Sequence, residues 1–104
     1  LKNFINSNTK SVNVEFIQNL VASHFNLSIH ELLSPRRSRI LARPRQIAMY
    51  LAKQHTTNSL PDIGRKFSNR DHTTVIHAVK KIDELIKKDN EIKQSVIEIR
   101  KKLF

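Results

Sequence analysis

The sequence predicts an all-α fold, a compact helical domain with a helix-turn-helix and a preceding basic loop. Two observations carry this. Apolar residues recur three and four positions apart in each patterned stretch between Val14 and Leu103, and no run alternates apolar with polar as a strand would. A short periodic stretch, Leu60 to Phe67, is also joined by only "SNR" to a longer one beginning near Asp71 or His72. Helices linked so tightly cannot lie antiparallel along their whole length, so they cross steeply.

Each element has its own signal. Val14 to Phe25 places Ile17, Leu20 and Val21 on one stripe, after a first dozen residues that read as a linker tail. Ser28 and Glu31 have capping-box spacing and open a short helix with Ile29, Leu32 and Leu33. "SPRRSRILAR" has Pro35, dense arginine and no period, which predicts an exposed basic loop. Pro44 suits the first position of the next helix, whose stripe is Ile47, Ala48, Leu51 and Ala52. "TTNS" ends that helix. Ser59 and Asp62 suggest another capping box, opening a helix with Leu60, Ile63 and Phe67. Gly64 lies inside it, where glycine costs about 1 kcal/mol relative to alanine, and close approach of a neighbouring helix would explain it. Val75, Val79 and Ile82 stripe the longer helix, and Ile92, Val96, Ile99 and Leu103 stripe a last amphipathic one.

At 104 residues the chain is one small domain. It has no cysteine, hence no disulfide framework or thiolate metal site. Its first residues, "LKNFINSNTK", lack the apolar core of a signal peptide, and the start at Leu1 rather than Met suggests a piece of something longer. The formal charge of +10 is unevenly placed: from Pro35 to Lys81 there are eleven basic and two acidic residues, a net of +9. Confinement of the excess to the middle of the chain favours a polyanionic partner over a generally solvated surface.

The longer helix opens on "DHTT", a first turn of poor helix formers. In a helix-turn-helix the second helix aims its N-terminal residues at base edges in the major groove, so this turn is written for contact. Asp71 suits an N-cap accepting from the N–H of Thr73 or Thr74, and could equally accept from a cytosine amino group. Thr73 and Thr74 offer methyls for thymine and hydroxyls for phosphate or base, while His72 could simply be exposed. His77 shares the polar side with Thr74 and Lys80, which favours phosphate contact; for Lys80 and Lys81 a solvated face explains as much. The five arginines between Arg36 and Arg45, among them Arg37 and Arg39, suit a loop entering a narrow minor groove.

These residues carry a specific resemblance. "RRSRILARPRQIAMYLAKQHTTNSLPDIGRKFSNRDHTTVIHAVKKI" resembles the C-terminal DNA-binding domain, domain IV, of the bacterial chromosomal replication initiator DnaA family, densest over "IGRKFSNRDHTTVIHA" and extending from about Phe16 to Leu85. The resemblance implies binding of double-stranded DNA at DnaA boxes of the TTATNCACA type, in a bacterial, cytoplasmic and nucleoid-associated setting. Residues 1–12 become the linker from an upstream domain and residues 13–104 the helix-turn-helix DNA-binding domain. Position by position, Arg37 matches the minor-groove arginine, and Asp71, His72 and Thr73 match residues that face bases in the major groove. Arg45, Gln46, Lys53, Pro61, Thr74 and His77 match positions that approach the phosphates, and Arg36, Arg39 and Lys81 are expected to join them. Pro35 stands where many members have lysine. Ser68 and Asn69 replace a turn that often contains glycine, and asparagine tolerates the left-handed backbone such a turn uses.

The chain is not expected to be an enzyme. With one glycine it has no phosphate-cradling GxxxxGK[ST] loop, so the ATP binding and hydrolysis that the resemblance implies for the full-length protein belong to an upstream domain. His24, His30, His55, His72 and His77 lack metal-ligand spacing, so neither a metal nor another cofactor is expected here. The competing readings are a transcription repressor on the same motif and a protein-interaction module using the last helix. Acidic phospholipid is a secondary partner, regulatory proteins are further ones, and the isolated domain is expected to be monomeric.

Overall fold

Asn13 starts the first helix by accepting from the Phe16 N–H at 2.8 Å, satisfying one of the donors a helix leaves free at its N-terminus. The computed structural model of the chain describes residues 12–36 and 38–103, and among these are six helices. They are α1 (Val14–His24), α2 (Ile29–Leu33), α3 (Arg39–His55), α4 (Leu60–Lys66), α5 (His72–Lys88) and α6 (Asn90–Leu103). Arg37 and all of the expected linker except Val12 lie outside the described residues.

The signals written in side chains and turns hold. After α1, Asn26 takes φ 56° and lets Leu27 donate to the Ala22 carbonyl at 2.8 Å, with Asn26 donating to Ser23, a Schellman closure. The Ser28–Glu31 capping box is complete in both directions, at 3.1 and 3.0 Å. The Ser59 box is only half made: Ser59 accepts from the Asp62 N–H, but the Asp62 carboxylate turns to Arg65, a stronger charged partner one turn on.

The basic loop is shorter than predicted. α3 begins at Arg39, so Pro44 stands in its second turn rather than at its first residue. The reason is tertiary: Leu41 is 5% exposed, and this early turn buries it. Pro44 withholds the N–H that would meet the Ile40 carbonyl, but Ile40 is 74% exposed, so water can serve that carbonyl. α3 then runs through the middle of the domain, packed by α1, α2, α4 and α5. Met49 and Tyr50 are buried along with the expected Ile47, Ala48, Leu51 and Ala52, so α3 is buried on all sides over this stretch.

Gly64 explains the steep turn between α4 and α5. A Cβ there would sit 2.2 Å from the Arg70 carbonyl oxygen, and Arg70 donates its own N–H to the Gly64 carbonyl at 2.8 Å. The approach is therefore of the chain just before α5, not of a distant helix. Ser68 and Asn69 complete the reversal at φ 63° and 57°, so the left-handed turn survives without a glycine of its own. Phe67, at the end of α4, is fully buried beneath it. Gly64→Ala should destabilise the domain by about 2 kcal/mol in urea unfolding, because overpacking against a backbone oxygen outweighs the better helix propensity of alanine. Stabilisation by alanine would contradict the contact.

Candidate nucleic-acid interface

The polar first turn of α5 is left outside the core by register. Val75, Ala78 and Ile82 are buried against α3, which turns Asp71, His72, Thr73, Thr74, His77 and Lys81 outward, all of them exposed. Residues three and four apart share a helical face, so Thr73, Thr74, His77 and Lys81 form one edge of α5; Lys81 rather than Lys80 continues it beside α3.

Opposite that edge stands the start of α3. Arg39, Arg43 and Gln46 are spaced by four and three, and with Ala42 they line a groove shared with His77 and Lys81. The groove continues past Thr73 and Thr74 and reaches Pro35, Arg36, Ser68 and Arg70 at the loop. Arg43 donates to Gln46 Oε1 at 3.1 Å, so the glutamine is held by the arginine one turn before it. Lys53 and Pro61 are exposed but line no part of this groove: Lys53 is in the last turns of α3 and Pro61 at the start of α4. Among the described residues no group of three histidine, aspartate or glutamate side chains could hold a metal ion, and no helix is long and apolar enough to cross a membrane.

Asp71 caps α5 in a different way from the one its position predicts. Its Oδ1 accepts from the His72 N–H at 2.9 Å, and its Oδ2 accepts from the Thr73 hydroxyl at 2.6 Å. His72 Nδ1 lies 3.2 Å from the same carboxylate. The Thr73 hydroxyl bond, aided by His72, holds the Asp71 carboxyl below the usual carboxylate range, so it is ionised at neutral pH. With that hydroxyl tied back to the cap, the methyl of Thr73 remains as its group for outside contact.

Arg45 does something the sequence does not announce. It is 6% exposed, and its guanidinium donates to the carbonyls of Leu32 at 2.8 Å, Ser34 at 2.7 Å and Arg36 at 3.0 Å. Burial and the charge of Arg70 lower its pKa to about 10, still far above neutrality. Arg45 thus caps the end of α2 and fixes the stem of the basic loop, committing a donor from each of its three guanidinium nitrogens to backbone carbonyls. Arg43, Ser68 and Arg70 belong to the same surface and were not among the expected site residues. The spacing of Arg39, Arg43 and Gln46 points to Arg43 once α3 is started at Arg39; nothing in the sequence marks Ser68 or Arg70.

The chain is similar to known proteins over nearly all its length. A family described as the bacterial DnaA protein helix-turn-helix matches residues 14–82. Chromosomal replication initiator proteins DnaA are similar to it: that of Geobacter metallireducens is 50% identical over 104 residues, all of this chain and 23% of the relative. That of Agrobacterium fabrum is 54% identical over 95 residues, 91% of this chain and 19% of the relative. That of Gluconobacter oxydans is 48% identical over 103 residues, 99% and 22% respectively. The chain therefore spans about a fifth of the length of these relatives.

Arg45→Lys keeps the charge but cannot fork to three carbonyls. It should lower unfolding free energy by about 3 kcal/mol in urea titration, since buried carbonyls lose charged donors. An unchanged midpoint would mean that water replaces the guanidinium at no cost.

Proposed function

The chain belongs to the bacterial DnaA helix-turn-helix family, and on that premise we propose that it binds double-stranded DnaA boxes of the TTATNCACA type in the initiation of chromosomal replication. Family membership supports DNA binding in replication initiation; the box and the grooves are our reading. The observation that carries it is the groove itself, with a donor-rich α5 edge facing a basic α3 edge and an exposed first turn at its centre.

Asp71, His72 and Thr73 then meet bases in the major groove, because the α5 N-terminus is the part of the motif free of the core. Thr73 offers a methyl to thymine, and the ionised Asp71 accepts from a cytosine amino group while it caps the helix. Arg36, Arg39, Gln46, Thr74, His77 and Lys81 face phosphates, with Lys53 and Pro61 further along the surface. Arg37 is assigned to the minor groove from its place between Arg36 and Ser38 and from the resemblance. Arg45 supports the loop from behind. ATP chemistry of the whole protein is placed outside these residues, whose single glycine serves the turn.

Fluorescence anisotropy with a TTATCCACA duplex and a scrambled one, at physiological salt, tests this. The wild type should prefer the site by about tenfold or more, and Thr73→Ala should remove most of that preference while leaving scrambled binding unchanged, as loss of a base contact does. Lys81→Ala should weaken both duplexes alike and reduce the salt slope by about one, as loss of a phosphate contact does. Equal wild-type binding to the two duplexes would overturn the reading.

A further inference from the structure

The basic loop leaves α2 without a glycine stop. Ser34, the last cap of α2, is extended at φ −67° and ψ 161°, so the final carbonyls of α2 need donors from elsewhere. Ser34 itself donates to the Glu31 carbonyl, Arg45 donates to the Leu32 carbonyl, and further donors come from the turn of the helix-turn-helix. Ser68 Oγ donates to the Leu33 carbonyl at 2.7 Å, and Arg70 Nη2 donates to the Ser34 carbonyl at 2.7 Å. Arg70 Nη1 meanwhile donates to the Phe67 carbonyl at 2.8 Å, inside its own turn. One guanidinium therefore spans two backbones, the end of α4 and the stem of the loop.

We propose that Arg70, with Ser68, is a positioning residue that locks the basic loop to the recognition turn through the Leu33 and Ser34 carbonyls, so that loop and α5 meet one duplex in fixed register. This rests on the DNA-binding reading above. Three features argue for it over simple capping. Arg70 directly precedes Asp71, so whatever holds Arg70 also sets the start of α5. Its fork suits two carbonyls at once, which the single ammonium of lysine does not match. The Ser34 carbonyl also accepts from Arg45, so two like charges are gathered on one oxygen at the edge of the basic groove. Such gathering costs stability in the free protein, and the charge of Arg70 adds to burial in lowering the pKa of Arg45; nearby phosphates relieve the cost in a complex.

The test is a double-mutant cycle by anisotropy, using wild type, Arg70→Lys, Arg36→Ala and the double variant on site-bearing and scrambled duplexes. Arg70→Lys keeps the charge, so preference for the site, the ratio of its affinity to that of the scrambled duplex, should fall about fivefold through lost register, within the coupling seen between neighbouring residues. Arg36→Ala should then weaken binding to the site-bearing duplex by a smaller factor in the Arg70→Lys background than in wild type, because the loop it reports on is no longer held. Should Arg70→Lys melt below the assay temperature by circular dichroism, Ser68→Ala, at an exposed position, gives the same cycle. Retained preference in Arg70→Lys, or additive effects with Arg36→Ala, overturns the inference alone. Absence of site preference already in the wild type overturns the DNA-binding reading and this inference with it.

Discussion

Where α4 gives way to α5, the backbone passes so close to Gly64 that no side chain fits between them. The mutual contact, Arg70 N–H on the Gly64 carbonyl and Arg70 carbonyl over the Gly64 Cα, fixes where α5 starts. Everything on the candidate interface descends from that start. It sets the register that buries Val75, Ala78 and Ile82 and exposes Asp71 to Thr74, and it delivers the Arg70 guanidinium to the stem of the basic loop. A glycine that weakens α4 as a helix is thus the condition for the neighbouring helix to present its first turn.

The interface is built against the preferences of an isolated chain. Threonines and histidine open α5 where better helix formers would stabilise it, and basic residues crowd one groove where they repel one another. The core offsets this. α3 is buried on all sides from Ile47 to Ala52, α1 and α5 pack on it, and α6 closes over α1 and α5, with Ile17, Val21, Ile82 and Ile99 each fully buried. Polar side chains add to it: Asp71 at the rim ties down both His72 and Thr73, and the buried Arg45 holds the carbonyls of Leu32, Ser34 and Arg36. Side chains tied back in this way are placed before any ligand arrives, which lowers the ordering cost of binding.

How much of this is legible in the sequence depends on whether a signal is local. The helices α1, α2, α4 and α5 are readable because caps, stripes and turn residues lie within a few positions of one another, as with Ser28 and Glu31. The start of α3 is not, because Pro44 imitates a first helical residue and only the burial of Leu41 draws the helix back to Arg39. Gly64 is visible as an anomaly, but its partner, the Arg70 carbonyl, is not. Arginine is the least legible residue of all. Arg39, Arg43, Arg45 and Arg70 look alike in a basic segment and all reach the groove, yet only Arg45 and Arg70 also hold the backbone carbonyls of the loop stem. A long side chain with a five-donor fork is aimed by its tertiary surroundings, which periodicity does not record.

On the proposed reading α5 and the loop engage adjacent grooves of one duplex, and a base-analogue interference scan across a TTATCCACA site tests it most directly. Uracil for thymine removes a methyl from the major groove, and diaminopurine for adenine adds an amino group to the minor groove. Two neighbouring blocks of weakened binding are expected, one sensitive only to lost thymine methyls and the other only to added minor-groove amino groups. Uniform binding to every substituted duplex, with salt dependence intact, would contradict it and leave a purely electrostatic grip on phosphates.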